Sequence, residues 1–409
     1  MEKNSKESST PTILVLAFHT PPQVRPRAIM IGKIVNQMIR QKIEPVILTY
    51  DTCGIWNINL TVHTISPFVL EKNKLSEIPI VKTLRANWME FLYYMKIFKK
   101  TEGIIKKHNI DAVFSFSNPQ SSNILGALIR KRLQIPFVSY FSDPWIDNPY
   151  NTFTLLQNIK IRFLESFVIK WSDRVGFTNK EALELVMKKY PSKWKLKGVV
   201  IPHCFDSNDY PQKIEKVERK FVISHIGAFY KKRTPETLFI VIRKILDAKT
   251  IDSSMLSIKL VGGALDYADY SLDNLTQLIK KYGLQNIVEI LPAVSYKESL
   301  VSMSTSDLLV VIDADMDTSP FLPSKVVDYA GSTVPIVGIT PKKSPTEKFL
   351  HALGYSAFEH KEVEKLGSYL SQAINKKSVI EPNVDFLKNY KSDTVVAELL
   401  HQIKIAINQ

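Results

Sequence analysis

The 409-residue chain has two cysteines, Cys53 and Cys204, and they stand in no metal-ligand spacing. That excludes a disulfide scaffold and a zinc module, and leaves two free thiols expected in a reducing cytoplasm. No apolar run approaches the ~18 residues of a membrane span. Residues 1–11 are polar and lack the apolar stretch of a secretory signal. No GxGxxG follows the first strand pattern, so the dinucleotide fingerprint is missing, and Gly262–Gly263 is a weak signal in its place. Acidic residues are scarce in one half only. Residues 1–200 carry 29 Lys and Arg against 15 Asp and Glu, whereas residues 201–409 carry 25 of each, so the whole net charge of +14 lies in the first half. A basic face suits nucleic acid, an anionic membrane or an anionic substrate, or is simply solvated. No module of basic and aromatic residues accompanies it, which argues against nucleic acid.

What the chain does contain is alternation. TILVLAF, PVILTY, DAVFSFS, PFVSYFS, DRVGFTN and GVVIPH read as strands, separated by amphipathic helices such as RAIMIGKIVNQMIRQK and SNILGALIRKRLQ. A second series follows: FVISHIG, SIKLVGG, IVEILPA, SDLLVVIDA and VPIVGI, again with helices between them. Strands alternating with helices predict parallel sheets covered on both faces, hence an α/β fold. Two series predict two Rossmann-like domains joined near the polar, turn-rich HCFDSNDYPQKIEK. We place the first at 12–203 and the second at 204–384, with a C-terminal helix at about 385–409 expected to return to the first. Ligands of such sheets bind at the carboxyl ends of the strands.

Two loops there concentrate cations. In HIGAFYKKRTPE, Gly227 is followed by Lys231, Lys232 and Arg233, with Thr234 suited to cap a helix and Pro235 to open it. In FLPSKVVDYAG a helix is expected to start near Pro323, which puts Ser324 and Lys325 in the first turn. A cation is unfavourable at that end of a helix unless an anion joins it. Asp328 lies three residues beyond Lys325 and four beyond Ser324, on the same helical face, where a carboxylate could accept from a vicinal diol. The pattern fits a nucleoside diphosphate, with phosphates on Arg233 and Lys325 and ribose on Asp328; each loop alone reads equally well as a wet surface. DADMD places Asp313, Asp315 and Asp317 after a strand, and is read as a polar loop rather than a metal site.

The order HIGAFYKKRTPETL, LVGG, EILPAVSYKESL, DLLVVI and FLPSKVVDYAGSTVPIVGI resembles the donor domain of GT-B glycosyltransferases, in the family-4-like branch that builds bacterial surface polysaccharides. AFHTPPQVRPRAIMIGKIVNQMIRQKIEPVILTYD, SDPW and VIPHCFD resemble that family's acceptor domain and linker. The resemblance runs from about residue 13 to 407. It implies two Rossmann-like domains facing across a cleft, and sugar transfer from a nucleoside-diphosphate sugar with retention, without a metal or other cofactor. It implies Arg233 and Lys325 on the pyrophosphate, Asp328 at the ribose, and Pro292, Ala293 and Val294 along the base, with Gly227, Lys232, Pro323 and Ser324 in the same donor site. The loop holding His19, Arg25 and Arg27 would face acceptor and phosphates, and Asp143 would lie near the reaction centre. The chain departs from the family where Pro320 replaces the first of two glutamates, where Asp328 replaces the second, and where Ser142 replaces a histidine. A nucleotide-sugar epimerase and a non-catalytic scaffold are the competing readings.

LRANWMEFLYYMKIFKK carries Leu84, Trp88, Phe91, Leu92, Met95 and Phe98 on one helical stripe flanked by Lys96, Lys99 and Lys100. Packing of that stripe on the first sheet is the leading expectation; an anionic bilayer is the other. Together with the charge asymmetry, it suggests an enzyme held peripherally at the inner face of the membrane, acting on a saccharide or a polyprenyl-diphosphate-linked acceptor.

Overall fold

The computed structural model describes residues 10–54, 56, 59–69, 79–212, 220–263, 270–376 and 381–409, with side chains in 79–84 and at 376 left aside. The chain forms two compact units, one of Met1–Pro202 with Val396–Gln409 and one of His203–Val395. Of the linker stretch, residues 213–216 lie outside the described residues.

The first unit holds a seven-stranded parallel sheet. Its strands are β1 (Ile13–Ala17), β2 (Val46–Tyr50), β3 (Val62–Ile65), β4 (Ala112–Phe116), β5 (Phe137–Phe141), β6 (Arg174–Phe177) and β7 (Gly198–Val200), in spatial order β3-β2-β1-β4-β5-β6-β7. Around them lie α1 (Pro26–Arg40), α2 (Pro79–His108), α3 (Ser121–Leu133), α4 (Leu155–Trp171), α5 (Lys180–Met187) and α6 (Ser192–Lys195). β1, β2, β4 and β5 are buried at every position. Such near-continuous apolar runs, broken only by Thr49, Ser115 and Ser139, are what a sheet covered on both faces demands. The neighbours of β1 are β2 and β4, so the strand order reverses between β1 and β4. The loops leaving those two strands open at a switch point, where a doubly wound sheet offers a crevice.

The second unit repeats the plan with β8 (Phe221–Ile226), β9 (Leu256–Val261), β10 (Val288–Leu291), β11 (Leu308–Ile312), β12 (Ile336–Ile339) and β13 (Ser356–Phe358), ordered β10-β9-β8-β11-β12-β13 and all parallel. Its helices are α7 (Glu236–Asp247), α8 (Leu272–Lys281), α9 (Tyr296–Ser304), α10 (Ser324–Gly331), α11 (Pro345–Ala352), α12 (Val363–Lys376) and α13 (Val384–Lys388). The last helix, α14 (Ser392–Ile407), starts in this unit and continues into the first. The reversal here falls between β8 and β11.

The alternation in the sequence contains neither β3 nor β13. Both are short edge strands with little fully buried surface, so neither carries the apolar run that marks the central strands. The α2 stripe is corrected as well. Trp88, Phe91, Leu92 and Met95 face solvent, while Ile97 is buried and Tyr93, Tyr94 and Phe98 pack against the core. Tyr93 also donates its hydroxyl to the carbonyl of Ser66 at 2.9 Å. The side chain of Leu84 lies outside the described residues.

Candidate functional site

Two loops meet at the carboxyl ends of β8 and β11. β8 ends in His225 and Ile226, and the chain then turns at Gly227 with φ +122°. That conformation strains any residue with a Cβ. α10 is fastened to the same point through Tyr329, whose hydroxyl accepts from the Ile226 amide at 2.6 Å and donates to the Ile226 carbonyl at 3.1 Å. One helical turn earlier, Lys325 reaches the same strand end. Its ammonium lies 2.9 Å from His225 Nε2. His225 Nδ1 lies 2.9 Å from the carbonyl of Val310. A carbonyl can only accept, so Nδ1 carries the proton and Nε2 accepts from Lys325. The imidazole is 1% exposed and stacks on Phe229, with ring centroids 4.5 Å apart.

The electrostatics here are unbalanced. Burial lowers the pKa of Lys325 well below the ordinary lysine range, and Arg233 pushes it further down while Asp313 pulls it back. Burial likewise holds His225 well below its usual value, with Lys325 adding to the effect. Arg233 lies over the Tyr230 ring at 4.7 Å and donates to the Ala228 carbonyl at 3.4 Å, yet its Nε is buried with no partner. Among the described residues, neither Lys325 nor Arg233 has a carboxylate within ion-pair distance. Two neighbouring cations and the start of α10, which no side chain caps, thus converge with no carboxylate in direct contact, Asp313 acting on Lys325 only at longer range. Such an arrangement is built to receive an anion.

The structure moves both helix starts by one residue from their expected places. Pro323 is the N-cap of α10, with ψ 134°, and Ser324 is its first residue. Pro235 is the N-cap of α7, and Thr234 precedes it. In each case proline supplies the fixed φ one step earlier than expected. Lys231 and Lys232 are exposed, and the Lys232 carbonyl accepts from the amide of Asp315 at 3.2 Å, tying the two loops together.

Asp328 parts company with Lys325. It is 6% exposed and accepts from the Tyr296 hydroxyl at 3.0 Å, and its backbone carbonyl accepts from Tyr210 at 2.6 Å. The expected common face is therefore divided between β8 and α9. Pro292 and Ala293 are exposed just after β10, and Val294 packs on the core beside Leu291. Asp313 binds the Thr340 hydroxyl at 2.8 Å through its carboxylate. Sequence reasoning overlooked Tyr329 and Tyr296. Only the i,i+4 spacing of Lys325 and Tyr329 hinted at their shared direction.

The first unit holds a second polar cluster at the ends of β4 and β5. Asp143 Oδ2 accepts from Asn118 Nδ2 at 3.0 Å and from Ser142 Oγ at 3.1 Å. Asn118 is held in turn by Gln120, and Gln120 by Asn123. Burial raises the Asp143 carboxyl above its ordinary pKa, while Ser142, Arg27 and Asn118 draw it down. Arg27 thus lies within electrostatic reach of Asp143, whereas Arg25 is the exposed N-cap of α1. His19 pairs with Gln23 at 2.9 Å and meets the Tyr50 ring edge-on. Cys53 sits beneath this loop. Burial raises its thiol, but hydrogen bonds from His19, Thr49 and Thr20 outweigh that and bring it to about 7.

A methyl group at Gly227 would stand 3.5 Å from Lys325 Nζ on a backbone that disfavours it. Gly227→Ala is expected to destabilise the chain by about 1–3 kcal/mol and to weaken anion binding. Urea unfolding with and without a nucleoside diphosphate measures both, and unchanged stability would show that the turn relaxes freely.

Two parallel α/β sheets, each with its switch point, define the GT-B fold. Solved structures bear out that assignment. HepE from Anabaena, in complex with UDP and glucose, superimposes with a TM-score of 0.69 at 13% identity over 96% of this chain and 99% of its own. The sucrose-phosphate synthase of Thermosynechococcus elongatus gives 0.65 at 12% identity over 97% and 95%. A Listeria monocytogenes structure named for UDP-N-acetylglucosamine 2-epimerase gives 0.60 at 12% over 98% and 97%. No family model matches the sequence, and no curated protein does.

Proposed function

We propose that the protein is a glycosyltransferase that uses a nucleoside-diphosphate sugar. The observation that carries this reading is the pair Lys325 and Arg233, two cations with no ion-paired carboxylate among the described residues, at the switch point of a nucleotide-binding type of sheet. When a sugar–phosphate bond breaks, negative charge accumulates on the departing diphosphate. Preorganised cations and an uncapped helix start stabilise that charge as it forms. Lys325 and Arg233 take the diphosphate, assisted by Lys232 and the α10 start at Pro323 and Ser324. Pro292, Ala293 and Val294 flank the base. Asp328, whose Oδ1 is held by Tyr296, is the ribose-facing carboxylate in this reading. The charge is met by side chains, and the reading assigns no metal or other cofactor.

The first unit supplies the acceptor side, with Asp143 as base or acceptor contact and His19, Arg25 and Arg27 on the acceptor. Retention at the transferred carbon, a saccharide or polyprenyl-diphosphate-linked acceptor, and a role in bacterial surface polysaccharide synthesis at the inner face of the membrane complete the proposal. The likeness to HepE, named in complex with UDP and glucose, supports a uridine nucleotide as the first donor to try. Epimerase chemistry is the second reading, favoured by the Listeria monocytogenes likeness; Pro320 offers it no carboxylate where the glutamate pair would begin.

A thermal-shift screen of nucleoside diphosphates and their sugar conjugates tests the donor site. At 100-fold saturation a specific ligand stabilises by about 2.7 kcal/mol. Arg233→Lys keeps the charge but loses the planar fork, and is expected to lose most of that shift. An undiminished shift in this variant would remove Arg233 from the site. Product analysis then separates transfer to an acceptor from epimerisation.

A further inference from the structure

The first unit exposes two apolar helix stripes side by side. On α2 they are Trp88, Phe91, Leu92 and Met95, and on α4 Leu155, Leu156, Ile159 and Phe163, each between 41% and 77% exposed. The spacings i, i+3, i+4, i+7 and i, i+1, i+4, i+8 put each set on one helical face. Lys160 of α4 joins the helices by bonding Asn87 at 2.9 Å and Glu90 at 2.5 Å, both on α2. Trp88 and Phe91 stack on each other at 5.6 Å rather than on the core. Monomeric proteins rarely leave so contiguous an apolar surface uncovered.

Charge singles out the occupant. By helical periodicity Lys99 continues the α2 stripe and Lys170 continues the α4 stripe, and Lys96 and Arg162 flank them; all four are exposed. This unit also contains the 29 Lys and Arg against 15 Asp and Glu of residues 1–200. A second copy of the chain would bring the same cations face to face. An anionic bilayer instead accepts the rings between its headgroups and the lysines at its phosphates. No helix among the described residues is long and apolar enough to cross a membrane, so the contact lies in the surface plane.

We propose that α2 and α4 together form a docking surface for an anionic lipid bilayer, holding the first unit against the membrane through two parallel apolar stripes closed by lysines. The proposal deepens the reading that the acceptor is membrane-linked, and rests on it for its purpose but not for its geometry. Sequence periodicity showed the α2 half; the α4 half emerges only where tertiary packing leaves that face uncovered.

The test is flotation of the full chain with phosphatidylcholine vesicles, with and without about one-third phosphatidylglycerol. Wild-type protein is expected to float with the anionic vesicles at low salt, and much less in their absence or at high salt. Trp88→Glu and Phe163→Glu, one on each helix, are each expected to cut the bound fraction about tenfold. Far-UV circular dichroism checks that both variants fold. Wild type that stays with the soluble fraction at low salt overturns the proposal, and so do variants that float as well as wild type. A dimer in light scattering that Phe163→Glu converts to monomer, without flotation of either, assigns the surface to a second copy instead. The nucleotide thermal shift is a separate readout, so failure of the donor reading and failure of docking are told apart.

Discussion

Replacing Lys325 with methionine is expected to stabilise the empty protein and to abolish its response to nucleoside diphosphate. The two effects have opposite signs for one reason. In the empty site the lysine is desolvated, lies beside Arg233, and has a neutral imidazole as its hydrogen-bond partner. Methionine has similar length and removes the buried charge. Substitutions of this kind often stabilise by about 1–4 kcal/mol, which in a domain near 200 residues raises the melting point by several degrees. With a diphosphate bound, the ammonium becomes half of a desolvated ion pair, and its loss is expected to weaken binding by about two orders of magnitude. The same variant should flatten part of the pH dependence of stability. The folded pKa of Lys325 lies well below that of the unfolded chain. Between those two values the unfolded chain holds a proton that the folded one lacks, so stability rises with pH there, and below the folded value the full penalty is present. Methionine removes that slope. His225, also lowered, makes stability fall as pH drops below about 6.5, and that limb should remain. Differential scanning calorimetry across the pH range reads all three effects. A destabilised empty variant that still binds nucleotide would overturn the assignment of Lys325.

Asp143→Asn is expected to lower turnover by about 10²–10⁴-fold, the usual range for removing a general base, while leaving the nucleotide thermal shift intact. The carboxyl is fixed by Asn118 and Ser142 and raised by burial. An amide has the same shape and can still accept from Asn118, so the fold should hold. A base must be ionised to work, so the wild-type rate should climb with pH on an acid limb whose midpoint lies above an ordinary aspartate's. The variant should lack that limb. Full turnover in the variant would leave Asp143 as no more than the residue that holds the turn before Pro144.

Much of this was legible without coordinates. The central strands announce themselves because a strand buried on both faces is apolar at most positions, and ILVLA and LLVVI are so throughout. Two series of such strands pointed to two parallel sheets, and the cations around two helix starts suggested where an anion would bind. Two of the four edge strands gave no such signal, because VHTI and SAF are partly exposed and look like loop. The helix starts were misplaced by one residue because proline satisfies the backbone equally at the cap and just inside it.

The sequence by itself determined the alternation, the location of the excess charge, and the presence of Arg233 and Lys325 in the two segments that follow strands. These follow from periodicity and from the dipole of a helix, which are local. The tertiary structure decided which partners those residues have: His225 rather than a carboxylate for Lys325, Tyr296 for Asp328, Asn118 for Asp143. It also decided which face of α2 is buried and that α4 leaves its own apolar face open beside it. A helix with apolar residues on two faces carries no instruction about which one turns inward; that is settled only by what the rest of the chain packs against it.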